Sequence, residues 1–159
     1  MPIRNAAVLL AMMISLAAPG AGRAEPVRSH FESVGADRAA IMALLDEYTR
    51  AVSTKDQALF EALLLNKAIP FSAATAAVKA GSAEAGTRNY EAFRRGVFEG
   101  PPFTQKFQDI TIRQDGPLAD VSLVFVNSTP RGSSWGWKTM QLLKIEGHWK
   151  IASELYTGH

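Results

Sequence analysis

The stretch LLKIEGHWKIASELY, Leu142 to Tyr156, decides the fold of this chain. Apolar residues crowd both sides of Glu146-Gly147-His148, and a glycine beside polar residues is the local signal of a tight β-turn. The stretch reads as two antiparallel strands. Leu143, Ile145, Trp149 and Ile151 are expected to cap a helical layer, with Leu142 turned the other way. An isolated hairpin is marginal in water, so the rest of the chain must supply more strands and a cover.

The strands lie immediately upstream. Residues 135–145 form the strand that enters the hairpin, 129–134 (TPRGSS) a longer turn, and 118–128 another strand. Residues 114–117 (QDGP) are a further turn, and 103–113 hold a strand with Phe107 and the Ile110/Ile112 pair. Consecutive strands with short connections make an antiparallel meander.

The cover comes from the first half. Asp37 can cap a helix, after which Ile41, Leu44, Leu45, Tyr48 and Val52 recur at helical spacing over about four turns. Asp56 caps a second, shorter helix with Leu59, Phe60, Leu63 and Leu64. Residues 68–72 (AIPFS) suit a short strand that Pro70 restricts to an edge or bulge. Residues 75–88 are rich in small side chains and fit a β-hairpin or an Ala-rich helix. Asn89 can cap a third helix carrying Tyr90, Phe93, Val97 and Phe98, stopped by Gly100-Pro101-Pro102. Helices first and a meander last predict the α+β class, three N-terminal helices packed on one face of a curved antiparallel sheet.

Strand alternation assigns the faces. Trp137, Thr139, Gln141, Leu143 and Ile145 are expected to point at the helices, and Gly136, Lys138, Met140, Leu142 and Lys144 away. Val121, Leu123 and Phe125 oppose Ser122, Val124 and Val126. Both faces are partly apolar, whereas a sheet with one wet face is polar on that side. A homodimer through the outer face (Val124, Val126, Met140, Leu142) is the expected cover.

The start of the chain reads differently. Arg4 precedes an uncharged apolar run, Ala6 to Ala18, followed by Pro19-Gly20 and the small residues Gly22 and Ala24 around Arg23. This is the pattern of a cleavable signal peptide over residues 1–24, and the run is shorter than the ~20 residues a membrane span needs. Residues 25–36 are expected to be a flexible lead-in and 37–157 the folded domain. The predicted setting is periplasmic or secreted, without stable membrane anchoring. With no cysteine, disulfides, thiol catalysis and thiolate metal sites are excluded. The excess of 17 basic over 15 acidic residues disappears once Arg4 and Arg23 leave with the leader. No basic stripe remains to bind nucleic acid.

The order of these elements, with YTRAVSTKD (Tyr48–Asp56), GTRNYEAF (Gly86–Phe93) and the closing LLKIEGHWKI (Leu142–Ile151), resembles the nuclear transport factor 2-like superfamily. Within it the ending is similar to the SnoaL-like and lumazine-binding branches. The resemblance covers residues 37–156 and implies a cone-shaped, cystatin-like α+β fold. That fold hosts isomerases, cyclases, dehydratases and non-enzymatic binders, so it leaves the activity open.

The isomerase members pair a tyrosine on the first helix with a carboxylate base and a protonated acid. Counted from Asp56, Tyr48 matches the tyrosine, the base position falls near Ser72 and the acid position near Gln141. Neither of the last two is a carboxylate, so that mechanism is not expected. The dehydratase His–Asp pair has no counterpart either: His30, His148 and His159 fall in a lead-in, a turn and the terminus. No metal or other cofactor is implied. The resemblance places Tyr48 and Ser72, and the face assignment Trp137, Thr139 and Gln141, around a cavity for a small apolar ligand. Tyr48 and the tryptophans could equally serve packing. Asn127 reads as a turn-flanking residue. The expected function is non-catalytic binding; an isomerase- or cyclase-like enzyme using Tyr48 with Gln141, and a protein-interaction module, are the alternatives.

Overall fold

The structure, a computed structural model, describes residues 30–74, 78 and 90–159. The leader reading of residues 1–24, the two readings of 75–88 and the Asn89 cap lie outside the described residues. Helix α1 spans Gly35–Thr54 and buries Ile41, Leu44, Leu45, Tyr48, Ala51 and Val52 along one stripe. Its length exceeds the expected four turns because Gly35 to Asp37 join it at the start and Ser53 and Thr54 continue it at the end. It stops at Lys55, whose left-handed backbone (φ 61°) turns its N–H back to the Ala51 carbonyl. Asp56 then caps α2, Gln57–Leu63, by accepting from the Leu59 N–H at 2.9 Å.

Asp37 does not cap α1. The helix begins three residues earlier than that cap would set it, at Gly35 after Val34, without a side-chain cap. The Asp37 carboxylate instead reaches Lys144 (2.6 Å), Gln114 (2.8 Å) and Trp149 (3.2 Å), tying the first turn to the sheet. Glu32 and Ser33, near the end of the lead-in, are anchored as well. Ser33 is buried, its hydroxyl donates to Gln114 at 2.8 Å, and Glu32 forms a bridge to Arg113.

Helix α3 spans Tyr90–Arg94 and continues as a π-helical turn over Arg95–Glu99. Lys55 fastens it by donating to the carbonyls of Val97 and Pro101. Strands β1 (Phe71–Ala73), β2 (Thr104–Asp115), β3 (Leu118–Thr129), β4 (Gly132–Ile145) and β5 (His148–Tyr156) form one sheet in the order β1-β5-β4-β3-β2. The meander is as expected; β1 adds a parallel edge strand beside β5, where Pro70 is tolerated.

The three meander turns are each two residues long: Asp115 pairs with Leu118, Thr129 with Gly132 and Ile145 with His148. The last turn uses Glu146 (φ 49°) and Gly147 (φ 82°), the doubly left-handed pair that matches strand twist. The six-residue turn expected over 129–134 is therefore tighter. That difference decides which side chains face the helices. A two-residue hairpin pairs odd positions on one strand with even positions on the next, and paired residues share a face. Val121, Leu123 and Phe125 face inward as expected, so their partners Met140, Lys138 and Gly136 must also face inward.

The inward assignment of Trp137, Thr139, Gln141, Leu143 and Ile145 is thus corrected. Met140 and Leu142 are fully buried, while Trp137 (55 % exposed), Gln141 and Ile145 lie on the outer face. Met140 and Leu142 belong to the core and leave the expected dimer surface. Gly136 is needed where it stands: an added Cβ would lie 2.1 Å from the Thr157 carbonyl oxygen and 2.8 Å from the Phe125 ring.

Two irregularities then change the alternation within strands. Between Gln108 and Thr111 the β2 register shifts at Asp109 (φ 52°), which brings both Ile112 and Phe107 inward. On β5 the register shifts opposite Gln141/Leu142, so Ile151 pairs with Leu142 but Glu154 pairs with Met140. Trp149 and Ile151 face inward before this bulge, and Glu154 faces inward after it.

Candidate functional site

Three elements converge on a buried polar cluster. Tyr48 comes from the inner stripe of α1, Lys138 from an inward position of β4, and Glu154 from the bulged end of β5. Bulges commonly re-aim a side chain in this way. Lys138 is 2 % exposed and Tyr48 and Glu154 are fully buried. Lys138 Nζ lies 2.8 Å from Glu154 Oε1 and donates to the Tyr48 hydroxyl at 2.5 Å. The same hydroxyl donates to Glu154 Oε1 at 3.1 Å. Glu154 Oε2 is buried and has no hydrogen-bond partner among the described residues.

Aromatic rings surround the cation. Lys138 Nζ sits 4.3 Å from the centre of the Tyr48 ring, 5.4 Å from those of Phe107 and Phe125, 5.7 Å from Tyr156 and 5.9 Å from Phe93. Ring faces attract a cation but do not replace its hydration. Burial accordingly pulls the Lys138 amine down, against the opposing effect of Glu154. Burial likewise pushes the Glu154 carboxyl up, against Lys138. The Tyr48 hydroxyl is held well above its ordinary value by burial first and by the Glu154 charge second. The setting favours the neutral form of each group, while their mutual contact favours the charged pair.

Beside this cluster, under α3, lies a pocket of about 270 Å³. Phe93, Val97, Phe103, Phe125 and Tyr156 give it apolar walls, and Lys138 lines it together with Gln105 and Asn127. Gln105 Nε2 donates to Asn127 Oδ1 at 2.8 Å, leaving Gln105 Oε1 buried without a partner among the described residues. A pocket with apolar walls and a few convergent polar groups is the usual form of a small-molecule site. Among the described residues no group of His, Asp or Glu side chains could hold a metal ion.

The sequence candidates divide between the two sides of the sheet. Tyr48 is central to the buried cluster. Ser72 is buried on β1, beside Leu155, and does not line the pocket. Trp137, Thr139 and Gln141 stand on the outer face, where Gln141 accepts from Ser153. They share no site with Tyr48, so the expected pairing of Tyr48 with Gln141 is corrected: Tyr48 meets Lys138 and Glu154 instead. Asn127 flanks no turn function; it is half of the amide pair in the pocket. Lys138, Glu154 and Gln105 were missed. The two-residue turn at Pro130-Arg131 carries the signal for Lys138, because it pairs that residue with the inward Leu123. Nothing in the local sequence announces the bulge that turns Glu154 inward.

Comparison with known proteins fits this geometry. The sequence profile of the family described as "Putative lumazine-binding" matches residues 36–157. The chain belongs to this family. A search of curated proteins finds no match. Solved structures share the fold at low identity. A protein of unknown function with a cystatin-like fold from Nostoc punctiforme has a TM-score of 0.63 at 13 % identity, covering 80 % of this chain and 95 % of that one. An NTF2-like protein of unknown function from Pseudomonas putida has a TM-score of 0.62 at 16 % identity, over 77 % and 86 % of the two chains. The CaMKII hub of S. rosetta has a TM-score of 0.57 at 17 % identity, over 76 % and 95 %. The nuclear transport factor 2-like fold of this family member is thereby shown. No helix among the described residues is long and apolar enough to cross a membrane.

Proposed function

We propose that this family member binds a small, flat, largely apolar molecule with one polar edge, in the pocket under α3. The observation that carries the reading is the pocket lining: Phe93, Phe103, Phe125 and Tyr156 share it with Lys138, which is held by Glu154 and Tyr48. A volume of about 270 Å³ lies at the small end of ligand sites, which favours a one- or two-ring molecule over a sterol. The family description supports the same class, since lumazine is a flat two-ring heterocycle bearing carbonyl groups. Lys138 supplies a donor for a carbonyl or anionic oxygen, and Gln105 Oε1 an acceptor for a ring N–H. The role is binding without turnover. The leader-like residues 1–24 support an exported setting for it.

Native mass spectrometry and thermal melting with lumazine and a panel of one- and two-ring aromatics test this reading. A bound 1:1 complex with a raised melting temperature is expected, weakened by Phe93→Ala in the pocket wall. No complex and no shift across the panel would overturn it.

A second feature supports self-association. Trp135, Trp137, Leu155 and Ile145 expose 54, 55, 44 and 44 % of their surfaces on the outer sheet side or its rim. Light scattering at micromolar concentration is expected to give a dimer, and a monomer there would count against it.

A further inference from the structure

We propose that Lys138 captures a small aromatic aldehyde or ketone as a covalent imine inside the pocket under α3. This rests on the binding reading above and deepens it: the polar edge of the ligand is a reactive carbonyl. The geometry supplies what imine formation needs. Lys138 lines the pocket, yet its side chain is 2 % exposed. Its nitrogen is 2.8 Å from Glu154 Oε1, close enough to hand over a proton, and 2.5 Å from the Tyr48 hydroxyl. Phe93, Phe103, Phe125 and Tyr156 provide faces on which an aromatic ring can stack beside that nitrogen. Burial among these rings also pulls the amine down, which raises the fraction carrying a free lone pair.

The step balances without any oxidant or reductant. The ammonium passes one proton to Glu154, and the neutral amine attacks the carbonyl carbon. A C–N bond forms as the carbonyl π pair moves to oxygen, which takes the proton held by Glu154. The attacking nitrogen returns one of its protons to Glu154. Glu154 then protonates the carbinolamine hydroxyl, water leaves, and the nitrogen lone pair closes the C=N bond. The products are a protonated imine, an ionised Glu154 and water. The charges at the end are those of the starting ion pair. Glu154 can therefore face the iminium as it faced the ammonium, and no uncompensated buried charge is created.

The test treats the full chain with limiting benzaldehyde and cyanoborohydride at neutral pH, followed by intact mass measurement and peptide mapping. One reduced adduct, on Lys138, is expected. Glu154→Gln should slow its formation, and Lys138→Met should abolish it. Because mapping is done on the wild type, the result stands even where a variant fails to fold. Label spread over Lys55, Lys67, Lys144 and Lys150 with no excess on Lys138 would overturn the proposal. Benzyl alcohol, which cannot form an imine, separates the two readings. If it raises the melting temperature and Lys138 stays unlabelled, capture is overturned and binding stands. If neither it nor any member of the ligand panel has an effect and Lys138 stays unlabelled, both fall.

Discussion

Lys138 and Lys144 stand on the same strand, and each meets a carboxylate: Glu154 at 2.8 Å and Asp37 at 2.6 Å. The lysine and carboxylate side chains of the first pair are 2 % and 0 % exposed, those of the second 33 % and 29 %. Distance alone would rank the pairs as equals. Surroundings separate them. Water reaches the Asp37 pair, which joins the first turn of α1 to the sheet beside Gln114 and Trp149. At Glu154 the rings exclude water, and the desolvation cost rivals the attraction. A partly exposed clip is an aid to folding, whereas a buried pair beside a pocket is a cost carried where chemistry can use it.

The largest effect expected from breaking this contrast is at Glu154. Glu154→Gln leaves the Lys138 charge without its counter-ion in a ring-lined interior. Urea unfolding should show a loss of about 3–5 kcal/mol. The double variant Lys138→Met with Glu154→Leu removes both charges and should recover most of that loss. A single-variant loss of a few tenths would mean that the inner pair is hydrated like the outer one, and the contrast would collapse.

A smaller change sharpens it. Tyr48→Phe keeps the ring against Phe60 (4.8 Å) and Phe107 (5.2 Å) but deletes the hydroxyl that accepts from Lys138 and donates to Glu154. Hydrogen bonds to charged groups contribute about 1.5–3 kcal/mol, so a loss in that range is expected in the same unfolding experiment. No loss would show that the hydroxyl contributes packing alone.

How much of this was legible in the sequence follows from the same residues. Helical periodicity placed Tyr48 inside without ambiguity, and the Asp56 cap fixed the α1–α2 corner. The strand faces were harder, because β4 is apolar at both parities: Trp137 and Leu143 on one, Met140 and Leu142 on the other. Alternation within such a strand has two equally apolar solutions, and only its register to β3 chooses between them. The loop length at Pro130-Arg131 fixes that register, and a turn read as longer lost it. Glu154 was out of reach for a different reason. Its direction depends on an extra residue in β5, opposite Gln141 and Leu142 of β4, which no local preference announces.

The smallest effect belongs to the outer pair, and its dependence on pH distinguishes it from the inner one. Asp37 is held below the usual carboxylate range chiefly by the hydrogen bond from Lys144, then by that from Gln114. The folded chain therefore binds this proton more weakly than the unfolded chain does. Its contribution is complete above the unfolded carboxylate value of ~3.9 and is lost as pH falls through the lower folded value. The difference in stability between wild type and Asp37→Asn should accordingly be constant near neutrality and shrink below about pH 4. Added salt should reduce it too, since water and ions reach this pair. Measuring the variant against wild type at each pH cancels the other acids that titrate in the same range, Glu61 and Glu91 among them. A difference that follows pH but ignores salt would show that Asp37 acts through the hydrogen bonds from Gln114 and Trp149. Lys144 would then be a bystander, and β4 would carry one working ion pair instead of two.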